Sequence, residues 1–348
     1  MAVAVDRAEN IYVAEANGNR IHVYDISGAS LKSLGGGLSN PISVAVAPEG
    51  DIYVGNSIKG KSNVAVYDSN LNFIFKLGSG DGEFGQPAAI AVSPTGEIYV
   101  VDLKQDVVKV YYPDGSFHFS FGSSGSADGQ FNSPTSLAIQ EESVLVTDLP
   151  IIIEDSGTSR HEGARLQIFS LAGDFVASYD KYGQGDGFLT KPLGIATDPN
   201  DNIFVADSYQ NIVQAFDSIG IYLNTVYSTG QPMRSPLDIT YGPASHRLYV
   251  ASLNSDRVDF YCLSTYSFSV TGSVNSEGGT LAALGVTIEA ESNYSFQLEK
   301  NDSITLAISA DNSQGYHLEN LLIDGREALA DPQLIIVEAN EQQQPIRA

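Results

Sequence analysis

The chain has 348 residues, 18 of them Lys or Arg against 42 Asp or Glu, and a formal charge of −24. Phosphate backbones are neutralised by clustered Lys and Arg, so this balance excludes nucleic acid as a partner class and disfavours anionic membrane surfaces. With 43% apolar residues, no apolar run long enough for membrane insertion and a single cysteine, Cys262, it suits a large core without an intrachain disulfide or thiolate cluster.

The first residues, "MAVAVDRAEN", contain no basic segment followed by an apolar one, so no export signal is visible. They are followed by "IYVAE" and "RIHVYD", runs rich in β-branched and aromatic residues and bounded by turn signals. The same order returns along the chain. An "IYV"-type core recurs at Ile11, Ile52, Ile98, Val144, Ile203 and Leu248, in steps of 41, 46, 46, 59 and 45 residues. Each copy has a strand before it and a strand after it, and a fourth strand such as "SFHFSFG" closes the early copies. Four strands at this period predict one propeller blade per copy, six in all.

The strand that opens each repeat has a small residue at its middle: Ala4, Ala45, Ala91, Ala138, Ala196 and then Thr240. Six strands converging on one axis leave least room there, so these strands are expected innermost. Between repeats, "GSGDGEFGQP", "GSSGSADGQFNSP" and "GQGDGFLTKP" lead into Pro87, Pro134 and Pro192, with Pro41 and Pro236 in equivalent places. Pro is tolerated at a strand's first residue. Phe84, Phe131 and Phe188 are expected to plug the spaces between blades.

On the residues "GQFNSP", "KPLGIATDPNDNIFVADSYQNIVQAF" and "EANGNRIHVYD", residues 1–264 resemble the NHL-repeat family, which implies an all-β, six-bladed β-propeller of four-stranded antiparallel blades. Two departures stand out. The first copy starts inside its innermost strand, so either a segment precedes it, or the ring closes without strand exchange. The sixth copy has no clear outer strand unless "STYSFSVTG" supplies it. Residues 265–348, with "GGT", "SITLAIS" and "GYHLENLLIDG", resemble the small β-repeat domains related to internalin B-repeats, which are appended to bacterial surface and secreted proteins. That resemblance implies an extracellular, cell-surface or periplasmic location.

Candidate binding residues follow from the repeat. Glu15, Asn56, Asp102, Asp148, Asp207 and Ser252 end the "IYV" strands, so symmetry places them around one mouth, facing a central well. A ring of carboxylates there suits Ca²⁺ or a cationic ligand; the competing reading is that each accepts backbone N–H bonds from a turn. No other cofactor is expected. The longer fourth step comes from an insertion, "LPIIIEDSGTSRHEGA", whose Ile151, Ile152, Ile153 and His161 are candidate partner contacts over the same mouth. The five histidines share no metal-ligand spacing, and there is no nucleophile elbow or calcium loop. The leading expectation is a non-catalytic scaffold that binds a protein or extracellular polymer. One alternative is a metal-dependent lactonase- or lyase-like propeller enzyme. The other is a structural subunit that self-associates through open strand edges.

Overall fold

The computed structural model describes residues 1–262 except 79–82, 150, 156–157, 227–231 and 256, and beyond Cys262 the backbone of eight short strands. The chain divides into Met1–Cys262 and Leu263–Ala348. The first unit is an all-β propeller. Its blades are consecutive antiparallel sheets, each running outward from the axis in chain order.

The first blade comprises Ala2–Val5, Ile11–Glu15, Arg20–Tyr24 and Ser30–Leu34. The second is Pro41–Val46, Ile52–Asn56, Asn63–Tyr67 and Phe73–Leu77. The third is Pro87–Val92, Ile98–Asp102, Val107–Tyr111 and Phe117–Phe121. The fourth is Pro134–Gln140, Ser143–Asp148, Arg165–Ser170 and Phe175–Tyr179. The fifth is Pro192–Thr197, Ile203–Asp207, Ile212–Phe216 and Tyr222–Val226. The sixth has three strands among the described residues, Pro236–Gly242, Arg247–Ser252 and Arg257–Cys262. Its expected outer strand differs from the sequence reading: Thr265–Phe268 pairs instead with Phe296–Glu299 inside the second unit.

The second strand of a blade is buried on both faces because a neighbouring sheet covers each. Ile52–Asn56, Ile98–Asp102 and Ile203–Asp207 are buried throughout, which explains their continuous apolar runs. Apolar clusters fill the interfaces between blades. Tyr53, Val66 and Leu77 meet Ile98 and Tyr111 between the second and third, and Val101 and Phe121 meet Val146 and Phe169 between the third and fourth. Burying one such side chain contributes about 1.5–3 kcal/mol.

Four outer hairpins carry one repeated contact. An aromatic ring ending the third strand meets one opening the fourth, nearly edge-on, at 5.6–6.0 Å: Tyr67–Phe73, Tyr111–Phe117, Phe169–Phe175 and Phe216–Tyr222. The exposed Phe73, Phe117 and Phe175 therefore hold their hairpins closed.

The junctions plug the blade interfaces with whichever residue stands three before the proline. These are Leu38, Phe84, Phe131, Leu189 and Met233, all buried. Phe188 is a correction to the sequence reading: it is 42% exposed, and its neighbour Leu189 is the plug.

Among the described residues the first and sixth sheets are each built from contiguous chain, and contacts of their side chains join them. Asp238 Oδ2 accepts the Val3 N–H at 2.9 Å. Val3 and Ile11 pack with Tyr249 and Ala251. Glu9, buried in the first inner turn, accepts hydrogen bonds from the Ala244 and Ser245 N–H groups, the Ser245 hydroxyl and the Tyr249 hydroxyl at 2.8–2.9 Å. Glu9 sits at φ 63°, where the matching turns of the next two blades use Gly50 and Gly96. The last three blades carry Glu141, Asp201 and His246 in this turn, also at positive φ, so the turn accepts a side chain, and in the first blade Glu9 uses it to reach across the ring.

Candidate functional site

Each sheet's second and third strands are joined on the same face as the junctions, so one face of the propeller collects both sets of loops. The residues ending the second strands lie there. Asn56, Asp102, Asp148, Asp207 and Ser252 are buried, and Glu15 alone is half-exposed.

In four blades this residue accepts a hydrogen bond from the backbone N–H two positions before the proline. Ser39 donates to Asn56 at 2.9 Å, Gly85 to Asp102 at 2.8 Å, Asn132 to Asp148 at 2.8 Å and Thr190 to Asp207 at 2.6 Å. Gln86 and Lys191 add the next N–H to Asp102 and Asp207. The following residue then donates its own N–H back to the junction, as Ser57 does to Asn40 and Ser208 to Lys191. A carboxylate or amide here supplies acceptors to buried N–H groups that no sheet satisfies.

Cations complete two of these sites. Lys109 lies 3.3 Å from Asp102. Arg165 lies 3.2 Å from Asp148 and also donates to the Ser126, Ala127 and Gln130 carbonyls. Burial nevertheless pushes the Asp148 carboxyl up to about 6, against the Asn132 N–H and the Arg165 charge. Glu15 holds Arg20 at 2.6 Å and His22 at 2.9 Å. The Arg20 and His22 hydrogen bonds keep its carboxyl below the usual range.

The axial channel differs from the well read from the sequence. It measures about 480 Å³, is walled by the inner strands, and none of the six polar ring residues lines it. The ring lies one strand further out. Ala4, Ala45, Ala91, Ala138, Ala196 and Thr240 do line it, as their size requires. Among the lining residues the one carboxylate is Asp238, half-buried by surface area with its open side toward the channel. Close packing on the other sides still raises its carboxyl to about 6. Among the described residues no three His, Cys, Asp or Glu side chains gather as a metal site.

The insertion forms its own antiparallel hairpin, Ile151–Asp155 with Thr158–Glu162, on the junction face of the fourth blade. Ile152 stands opposite His161 in its register. The side chains of Ile151, Ile152, Ile153 and His161 lie outside the described residues. On the same face, Phe188, Tyr209 and Leu253 are exposed, at 42%, 60% and 49%. Gln210 and Gln214 both donate to the Phe188 carbonyl, at 2.8 and 2.6 Å, which ties the Phe188 and Tyr209 loops together.

Sequence reasoning missed the third-strand residues Lys109, Gln167 and Gln214, which brace the junctions through the Glu83, Gln130 and Phe188 carbonyls. Their signal was present: each is a polar residue flanked on both sides by apolar ones, as in "VVKVY", "LQI" and "IVQAF".

No protein-family model matches the sequence, and no curated protein matches it. Among solved structures the chain is similar to a gluconolactonase from Xanthomonas campestris, with 16% identity and a TM-score of 0.54 over 72% of this chain and 82% of that one. It is similar to a streptogramin B lyase, with 13% identity and a TM-score of 0.53 over 76% and 83%. A virginiamycin B lyase from Staphylococcus aureus gives 10% identity and a TM-score of 0.52 over 75% and 83%. Likeness at these identities establishes the shared fold, a six-bladed β-propeller.

Proposed function

We propose that this chain is a non-catalytic binding propeller of the NHL-repeat type, exported or displayed at a bacterial surface, which holds a protein or extracellular polymer on its junction face. One observation carries the reading. The polar ring residues of four blades are spent on fixing the junctions, while the same face carries the insertion hairpin and leaves Phe188, Tyr209 and Leu253 exposed. Rigidly held loops with exposed aromatic groups are the usual material of recognition surfaces. The internalin-like pattern of residues 265–348 supports the location, and the charge of −24 favours a neutral or cationic partner.

A metal-dependent lactonase- or lyase-like activity is less well supported. It asks for several donors converging on the axis, and Asp238 is the only carboxylate among the lining residues.

Affinity capture from native extracellular material tests the proposal. A variant with residues 150–162 replaced by a short Gly-Ser link, combined with Phe188→Ser and Tyr209→Ser, is expected to lose the retained partner while keeping its melting temperature. Unchanged capture by this variant moves the site off the junction face.

A further inference from the structure

Most exposed rings in this propeller have a partner on the molecule itself. Phe73, Phe117 and Phe175 pack on Tyr67, Tyr111 and Phe169, Tyr112 stacks on His118 at 4.1 Å, and Phe260 lies 4.6 Å from the Arg247 guanidinium. Among the described residues, Phe188 and Tyr209 are the two exposed aromatic side chains that meet no other ring or cation. Both stand on the junction face, in neighbouring loops that are fixed from within. The Phe188 ring lies against Gly183, where an added Cβ would come within 2.9 Å of its Cδ1. Gln210 bridges the two loops: its Nε2 donates to the Phe188 carbonyl at 2.8 Å, and its Oε1 accepts the Gly185 N–H at 2.7 Å. The Tyr209 and Gln210 N–H groups donate to Asp207 Oδ1 at 3.1 and 3.0 Å. Charge is scarce here. From Tyr182 to Thr190 and from Ser208 to Asn211 the one charged side chain is Asp186, whose carboxylate accepts the Thr225 hydroxyl at 3.0 Å. The same loops hold amides, Gln184 and Asn211, at exposed positions.

We propose that these two loops bind a neutral polysaccharide, one sugar ring lying on Phe188 and another on Tyr209. The inference rests on the junction-face reading above and narrows its partner to one class. A sugar ring is amphipathic: its C–H face sheds water onto an aromatic face, while its hydroxyls keep partners among amides and water. A protein partner would need a desolvated apolar centre, and two rings that do not touch, set among amides, offer none. A charged polymer finds no set of opposite charges in these loops. Gln210, Gln214 and Asp207 hold the loops in place before a ligand arrives, so binding requires little ordering of the protein. A repeating polymer presents the same sugar to both rings, and two weak contacts then act together.

The test runs the full chain through native gels containing dextran, mannan, xylan or laminarin, with polygalacturonate as the charged control. Retardation by at least one neutral polymer is expected. Phe188→Ala and Tyr209→Ala should each raise the half-retarding concentration roughly tenfold, whereas Tyr209→Phe should keep most of the binding. Tyr112→Ala, which removes an exposed ring elsewhere, should change nothing. Retardation by none of the neutral polymers, by polygalacturonate alone, or equally in both ring variants overturns the proposal. Material captured from the native source separates this proposal from the wider reading. Capture that depends on both rings, yet is destroyed by proteinase and spared by periodate, puts a protein on the junction face; it overturns the polysaccharide and leaves that reading intact. Unchanged capture by the combined insertion and ring variant overturns both.

Discussion

The Tyr249 hydroxyl donates to Glu9 at 2.8 Å, and this bond joins the last blade to the first across 240 residues of sequence. Three more donors converge on the same carboxylate. Burial pushes the Glu9 carboxyl up, but the Tyr249, Ser245 and Ala244 hydrogen bonds outweigh it and hold it below the ordinary value. Replacing Glu9 with Ala orphans buried donors, at a cost on the order of 2–4 kcal/mol in denaturant unfolding. Because the folded value is depressed, this stabilisation is complete above the unfolded carboxyl's titration and disappears as pH falls through the folded one. Wild type should therefore lose stability below about pH 4 more steeply than Glu9→Gln does.

Asp148 has the opposite sign. Its folded carboxyl is raised to about 6, so the unfolded chain releases this proton first as pH rises. The contribution is favourable below the unfolded value and declines between roughly pH 4 and pH 6. Unfolding followed across that window should show a falling component on the order of 2–3 kcal/mol, which Asp148→Asn removes. A slope unchanged by this substitution would contradict the assignment.

The ring carboxylates are expected to behave as parts of the scaffold. Asp102→Ala strands the Gly85 and Gln86 N–H groups and leaves Lys109 without its carboxylate. The loss should be about 2–4 kcal/mol. Adding millimolar Ca²⁺, or removing it with chelator, should leave the melting temperature of wild type unchanged. A rise with Ca²⁺ that Asp102→Asn and Asp207→Asn abolish would restore the ring as an ion site.

The plugs offer a paired test. Phe131→Ala and Leu189→Ala empty fully buried positions and should each cost about 2–5 kcal/mol. Phe188→Ser alters an exposed ring and should change stability by less than about 0.5 kcal/mol. Chemical denaturation of the three variants separates them.

The Phe188 error shows how much of the molecule the residues reveal. Repetition made the blades, their strand order and the small axial residues legible, since each signal occurs six times. The plug was misassigned because residue type was followed instead of distance from the proline. Counting back three positions finds Leu38, Leu189 and Met233 as readily as Phe84. The ring was legible as a position, but its role was not. Whether Asp102 faces a ligand or the Gly85 N–H depends on how the preceding junction folds back, which no local pattern encodes. The seam was the least legible part. Glu9 stands in a turn where other blades use Gly50, Gly96, Glu141, Asp201 or His246, so the sequence does not single it out, and its partners Ala244, Ser245 and Tyr249 lie far along the chain.

That seam bears on kinetics as well as on equilibrium. Contacts such as Glu9–Tyr249 require a loop of 240 residues to close, so blade-by-blade assembly reaches them last. Interactions absent from the rate-limiting barrier govern how fast a protein comes apart, with little effect on how fast it forms. The lifetime of the folded wheel is thus set by a few side chains where its two ends meet, and strengthening them would lengthen it without hastening folding.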